Sequence, residues 1–274
     1  MSLAIIMAYT FSHIARIVGG RLKECRDPET TIKHLAIDSR RIVSPQASVF
    51  FALPGKRRDG HDFIADAFAG GIRHFVVNRL PSSNHFAEAS FVLVGDVLTA
   101  LQALCTYHRR QFDLSVVGIT GSNGKTIVKE WLFQLLRHRF AVVRSPKSYN
   151  SQIGVPLSVW QLEDQHEVAL FEAGISRPAE MEKLAPLIDC RIGILTNIGD
   201  AHSEGFASKE QKLREKLRLF QRAEYLVYCK DDPLIERFAG KGPWKTFSWS
   251  EKGPATLQVD RIASEPLGTR IDVS

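Results

Sequence analysis

The sequence has few cysteines: four in 274 residues. Cys25, Cys105, Cys190 and Cys229 stand far apart, with neither a CxxC pair nor a Cys/His spacing. That excludes a disulfide framework and a zinc-finger type of site, and it points to reduced, mostly buried thiols in a cytoplasmic protein. No run approaches the roughly 18 apolar residues of a membrane span, so membrane insertion is not expected. The opening MSLAIIMAYTF has a short apolar stretch without a basic flank and makes a poor signal peptide. There is no internal repeat and no low-complexity tract. Lys and Arg (36) outnumber Asp and Glu (30), for a formal charge of +6. The cations are scattered apart from short runs such as Lys56-Arg57-Arg58, so no stripe for nucleic acid forms. The excess suits anionic small molecules instead.

What is present reads as two α/β domains, residues 1–110 and 111–274. In the first, YTFSHIARIVGGRL predicts a short helix, with Thr10 as its cap, a stripe of Phe11, Ile14, Ala15 and Val18, and a stop at Gly19-Gly20. IKHLAIDSR and ASVFFALPG predict strands, DGHDFIADAFAGGIRHFVVN a helix and then a strand, and VLTALQALCTYHRRQF a closing helix. From Leu114 the pattern becomes regular. The apolar strands LSVVGIT, FAVVRS, EVALFEAG, RIGILTNIG and EYLVYC alternate with amphipathic helices, which predicts a parallel sheet covered on both faces. After Pro233 the pattern reads as irregular, then strand-like at ATLQVDRIAS and TRIDVS.

The junction VVGITGSNGKTIVKEW carries the strongest chemical signal. A strand, then Gly-x-x-Gly-Lys-Thr, then a helix is a phosphate cradle: backbone N–H groups and the helix N-terminus face the anion. Lys125 would neutralise the outer phosphates of a nucleoside triphosphate and the Thr126 hydroxyl would ligate Mg²⁺. The usual loop has a further glycine six positions before the lysine; Ile119 stands there and Gly118 lies one step earlier.

In such sheets ligands sit beyond the carboxyl ends of the strands. Glu172 ends one strand, and Asn197 and His202 follow another. A glutamate and a histidine beside a phosphate loop suit Mg²⁺ or Mn²⁺, although a solvated strand end and a loop histidine read equally simply. Lys216 lies in a helix with Ser208 and Gln211 as a capping box and Leu213, Leu217 and Phe220 as its stripe. The spacing puts Lys216 at the edge of that stripe, where one more cation on a solvated face is the plain reading.

With these segments in view the chain resembles the Mur ligases, the ATP-dependent amide-forming enzymes of peptidoglycan synthesis. GSNGKTIVKE, YNSQIGVPLSV, FEAGISRPAEM and TNIGDAHSEGF carry the resemblance, together with IDSRRIVSPQASVFFALPGKRRDGHDFI near the start. It implies an N-terminal domain that holds a UDP-sugar substrate and a central P-loop domain with a parallel sheet. It favours the member that adds D-alanyl-D-alanine to UDP-N-acetylmuramoyl-tripeptide through an acyl phosphate, in a monomer using ATP and two Mg²⁺ sites. Position by position it implies ATP contacts from Gly121, Ser122, Asn123, Gly124, Lys125, Thr126 and Asn197. Metal ligands would be Thr126, Glu172, His202 and a carbamoylated Lys216. Lys125, His202, Lys216 and Asn150 would act at the reacting groups, and Ser39, Arg40, Asp59 and His61 on the UDP moiety. The family's third, C-terminal domain and an Asn/His element before it have no counterpart up to Ser274. A fragment without ligase activity of its own is therefore expected, from a parent chain that in some bacteria continues into an alanine racemase. A sibling ligase acting on another amine or on folate, and a non-catalytic nucleotide-binding module, are the competing readings.

Overall fold

The computed structural model describes residues 9–55, 58–82, 86–199, 205–266 and 268–274. The chain divides into two compact units between Phe112 and Asp113.

The first unit runs β1 (Tyr9–Thr10), α1 (Phe11–Ile17), β2 (Arg21–Lys23), β3 (Thr31–Ile32), β4 (His34–Ala36), β5 (Ser48–Phe51), α2 (Ile64–Ala69), β6 (His74–Val77), β7 (Ser90–Leu93) and α3 (Val97–Arg109). Thr10 caps α1 by accepting from the His13 N–H at 3.2 Å, while Phe11, Ile14 and Ala15 turn inward. The larger sheet has the order β2-β7-β6-β5-β4, with β2 antiparallel and the other pairings parallel. Every residue of β5 and β6 is buried, as expected of parallel strands covered on both faces. Phe50, Phe75 and Phe91 form the aromatic centre, the last two stacked at 5.4 Å.

The second unit runs β8 (Ser115–Thr120), α4 (Lys125–Leu136), β9 (Val142–Arg144), α5 (Gly154–Val159), β10 (Val168–Glu172), α6 (Glu180–Ile188), β11 (Ile192–Leu195), α7 (Lys209–Leu217), β12 (Tyr225–Cys229), α8 (Pro233–Ala239), β13 (Lys245–Ser250), β14 (Leu257–Glu265) and β15 (Gly268–Val273). The sheet order is β15-β14-β13-β12-β11-β8-β10-β9. All pairings are parallel except the β14–β15 hairpin at the edge. The β8 strand lies between β10 and β11, so the winding reverses there. In register, Glu172 stands beside Ile119 and Leu195 beside Thr120. The ends of β8, β10 and β11 thus open on one crevice, the position where such sheets take ligands.

In the second unit two elements depart from the sequence reading. The helix α8 and the strand β13 fill the stretch after Pro233 that reads as irregular. Asp232 caps α8 through the N–H groups of Leu234 and Ile235 at 2.9 and 3.2 Å, and Ile235 and Ala239, one turn apart, are buried. In β13 the usual pattern is inverted. Ser248 and Ser250 are buried and bonded to Thr256 and Asp231, while Phe247 is exposed, so hydrophobic alternation could not reveal the strand.

Candidate active site

The loop between β8 and α4 is held open by two glycines. Gly121 has φ 147°, and a Cβ there would lie 1.9 Å from Thr196 Oγ1; Gly124 has φ 80° and precedes the first turn of α4. Gly118 serves the core instead, since a Cβ on it would meet Cys190 Sγ at 2.8 Å. Ile119 is fully buried, which is why a residue other than glycine fits the place of the missing loop glycine.

The segment after β11 fastens the loop from one side. Asn197 accepts from the Ser122 N–H through its carbonyl and from the Asn123 N–H through Oδ1, each at 3.0 Å. Thr196 Oγ1 and Asn197 Nδ2 donate to the Asn123 carbonyl at 2.6 and 3.3 Å, and the Gly199 N–H donates to Ser122 Oγ at 2.9 Å. Two amides of the cradle are therefore engaged by Asn197. A first helical turn has no intrahelical acceptor for its N–H groups, so those of Lys125, Thr126 and Ile127 remain for an anion.

Three lysines gather around this loop. Lys125 Nζ donates to the carbonyls of Gly121 and Ser122 at 2.9 and 3.3 Å. Lys216 Nζ, 2% exposed, donates to the same Gly121 carbonyl at 3.0 Å. Lys212 Nζ, also buried, donates to the Gly199 carbonyl at 2.6 Å. Burial, reinforced by the charges of Lys125 and Lys212, lowers Lys216 to a pKa of about 7. Burial also lowers Lys125; Glu172 opposes this shift and Lys212 adds to it. The expectation that Lys216 sits at the edge of its helix stripe, on a solvated face, is corrected: α7 packs that side of the helix inward.

On the other side, Glu172 is wholly buried at the end of β10. Its Oε2 accepts from Thr126 Oγ1 at 2.9 Å, and Ser148 Oγ lies 3.2 Å from the same threonine hydroxyl. Its Oε1 has no hydrogen-bond partner among the described residues. Lys129, with no exposed surface, donates to the carbonyls of Ser145 (2.7 Å) and Lys147, and sits 3.9 Å from Glu172 Oε1. Burial raises the Glu172 pKa, against the pull of Lys129, the Thr126 hydroxyl and Lys125. A buried carboxylate oxygen without a donor, beside two hydroxyls, is a hard-oxygen set that fits Mg²⁺ or Mn²⁺. Asn150 lies against the chain just past Glu172: its carbonyl accepts from the Gly174 N–H at 2.8 Å.

His202 lies outside the described residues. Among those that are described, no three His, Cys, Asp or Glu side chains cluster as a metal site. In the first unit, Arg40 is exposed and forms a two-pronged pair with Asp38 at 2.8 Å, which holds the Asp38 carboxyl well below its usual range. Ser39 beside it is half-buried. His61 Nε2 accepts from the Asn78 N–H at 3.4 Å, so Nδ1 carries the proton and donates to Asp59 at 2.7 Å. Burial works to raise Asp59, but Arg79 and His61 outweigh it and hold the carboxyl low. Among the described residues no hydrogen bond joins Arg40 to the Asp59 group. Lys129 and Lys212 escaped sequence reasoning as site residues, although each lies one helical turn from a lysine it had found, Lys125 and Lys216.

The pattern of the Mur ligase middle domain matches residues 119–274, and that of the Mur ligase family catalytic domain matches residues 31–108. A UDP-N-acetylmuramoyl-tripeptide–D-alanyl-D-alanine ligase of Bacillus subtilis is 33% identical over 233 residues, covering 83% of this chain and 50% of the relative. The enzyme of that name from Treponema pallidum is 30% identical over 275 residues, covering 97% and 59%. The chain thus spans between half and three-fifths of these relatives. Among solved structures, a MurF ligase of Thermotoga maritima in complex with ADP superposes with a TM-score of 0.75 at 27% identity, over 88% of this chain and 55% of that one. A MurF of Acinetobacter baumannii gives 0.83 at 24% identity, over 97% and 60%, a likeness of fold.

Proposed function

The chain belongs to the Mur ligase family, and from that premise we propose that its second unit binds ATP with Mg²⁺. The whole protein would join D-alanyl-D-alanine to UDP-N-acetylmuramoyl-tripeptide in peptidoglycan synthesis. The observation that carries this reading is the convergence on one crevice of the Gly121–Thr126 loop, buried Glu172 at the end of β10 and buried Lys216.

The first-turn amides of α4 hold phosphate oxygens, and Lys125 exchanges its two carbonyl partners for the outer phosphates. The tripeptide carboxylate then attacks the γ-phosphorus, and the bond to the β-phosphate oxygen breaks to give acyl phosphate and ADP. The amine of D-alanyl-D-alanine attacks the acyl carbon, losing a proton as inorganic phosphate leaves. Lys125 offsets negative charge spread over the transferring group, so the protein contributes position and electrostatics. Thr126, Glu172 and His202 would hold the cation, which when bound neutralises phosphate charge.

A lysine near neutrality has a free amine fraction, and buried Lys216 can add CO2, forming an N–C bond and releasing a proton. The resulting carbamate is an anion between Lys125 and Lys212, ready to share the cation site. Asn150 and Asn197 would contact the reacting groups and the nucleotide, and Ser39, Arg40, Asp59 and His61 the UDP moiety. The reaction is proposed as a cytoplasmic one; among the described residues no helix is long and apolar enough to cross a membrane. A monomer suffices for this scheme.

Calorimetric titration of the 274-residue chain with Mg-ADP tests the nucleotide site: binding that disappears in Lys125→Ala supports it, and binding indifferent to that change sinks it. Phosphate release by the full-length protein, measured with and without each substrate, tests the reaction. Dependence on both the UDP-tripeptide and D-alanyl-D-alanine is expected; a preference for another amine would move the assignment to a sibling ligase.

A further inference from the structure

Lys129 has no role in the scheme above, yet it is one of the most completely buried charges in the molecule. It emerges from α4 one turn after Lys125 and reaches across to the turn that follows β9. There it donates to the carbonyls of Ser145 and Lys147. The same ammonium is 3.2 Å from Glu130 Oε1 and 3.9 Å from Glu172 Oε1. That second oxygen is the atom left without a hydrogen-bond donor. Glu172 is tied to the same turn, its N–H donating to Ser145 Oγ at 3.3 Å. A buried carboxylate needs a compensating charge, and an ammonium within 4 Å supplies one with little solvent screening.

We propose that Lys129 is the resident counter-ion of Glu172: a positioning residue that compensates the carboxylate while no divalent cation is present and disfavours a cation arriving without the nucleotide. This inference rests on the reading that Glu172 takes a cation. Two positive charges then compete for one carboxylate. A divalent ion alone must overcome the repulsion of Lys129, which has no exposed surface and is bonded to two backbone carbonyls. With the nucleotide bound, phosphate charge outweighs the ammonium, so cation and nucleotide arrive together. A purely structural lysine predicts the opposite sign, since disturbing the Ser145 turn would loosen Glu172 and weaken cation binding.

The test is Mn²⁺ binding to the 274-residue chain, read from the free-ion signal in electron paramagnetic resonance, with and without ADP. Wild type is expected to bind Mn²⁺ alone weakly and Mn²⁺ with ADP much more tightly. Lys129→Met should bind Mn²⁺ alone about tenfold more tightly than wild type, the sense set by removing a like charge at short range. Affinity equal to or below that of wild type overturns the proposal. Should Lys129→Met fold poorly, thermal unfolding of the Lys129→Met/Glu172→Gln double variant decides: recovery of the midpoint supports the pairing, and no recovery overturns it. Glu172→Gln alone separates the underlying reading. If it retains wild-type Mn²⁺ affinity, Glu172 is no ligand and the inference falls with it; if it loses Mn²⁺, the reading stands and the lysine variants judge the inference.

Discussion

Thr126 and Glu172, 46 positions apart, meet hydroxyl to carboxylate at 2.9 Å at the mouth of the crevice. One comes from the first turn of α4 and the other from the last residue of β10, and the β8–β10 register brings them together. The bond sets two hard oxygens side by side.

Replacing Thr126 by Ala should therefore weaken magnesium-dependent nucleotide binding by about 10–100-fold, the usual effect of disturbing an oxygen that orients a metal ligand. Thr126→Ser should restore most of it. Calorimetry of ADP binding at several Mg²⁺ concentrations checks this. Equal losses with and without Mg²⁺ would assign the threonine to the phosphates alone.

Gly121→Ala forces a methyl group to within 1.9 Å of Thr196 Oγ1 and 3.0 Å of the Asn197 nitrogen. A destabilisation of about 1–3 kcal/mol is expected from overpacking and the strained φ, together with loss of ADP binding. Adding Thr196→Ala should recover part of the stability, because it removes the nearer obstruction. Urea unfolding of the single and double variants reads the outcome.

The lowered pKa of Lys216 has a defined pH signature. With a folded value of about 7 and an ordinary value of 10.5, the unfolded chain binds the extra proton between those limits. Stability attributable to this residue must then rise as pH climbs from about 7 to about 10.5, by on the order of 5 kcal/mol at most. Below pH 7 both states hold the proton and the slope vanishes. In CO2-free buffer, Lys216→Met should flatten the rise between pH 7 and 9.5, and an unchanged slope would contradict the buried-amine account.

In the first unit the two carboxylates of the proposed UDP region should behave differently. Asp59 caps a short turn and gathers the His61 N–H, the His61 ring and Arg79, so Asp59→Ala should cost about 1 kcal/mol or more. Among the described residues Asp38 forms its ion pair with exposed Arg40 alone, and Asp38→Asn should leave the unfolding midpoint where it was. If Asp59 and the Arg40 that Asp38 holds contact the UDP moiety, both substitutions should weaken binding of the UDP-substrate regardless of their effect on stability.

The glycine loop, its strand and its helix were legible because a phosphate cradle imposes residue types on consecutive positions. The β10 and β11 ends were legible from apolar runs that stop at a polar residue. Lys129 and Lys212 were not, because a buried lysine in an amphipathic helix has the sequence signature of a surface one; only tertiary packing distinguishes them. The same holds for Lys216, where spacing suggested an edge and packing gave an interior. The strand β13 hid behind buried serines whose partners, Thr256 and Asp231, come from neighbouring loops. Asn197 carried a ligand role in the sequence reading, while the fold also gives it the task of fastening the loop's own amides.

The carbonyl oxygen of Gly121 accepts from Lys125 and Lys216 at once, at 2.9 and 3.0 Å. Drawing either amine away, by a phosphate on one side or by chemical conversion of the other, changes the electron density on the same C=O bond. A single carbon-13 label at that carbonyl would register both events as vibrational shifts. Nucleotide occupancy and the chemical state of a side chain 95 positions away would then be read from one spectroscopic line.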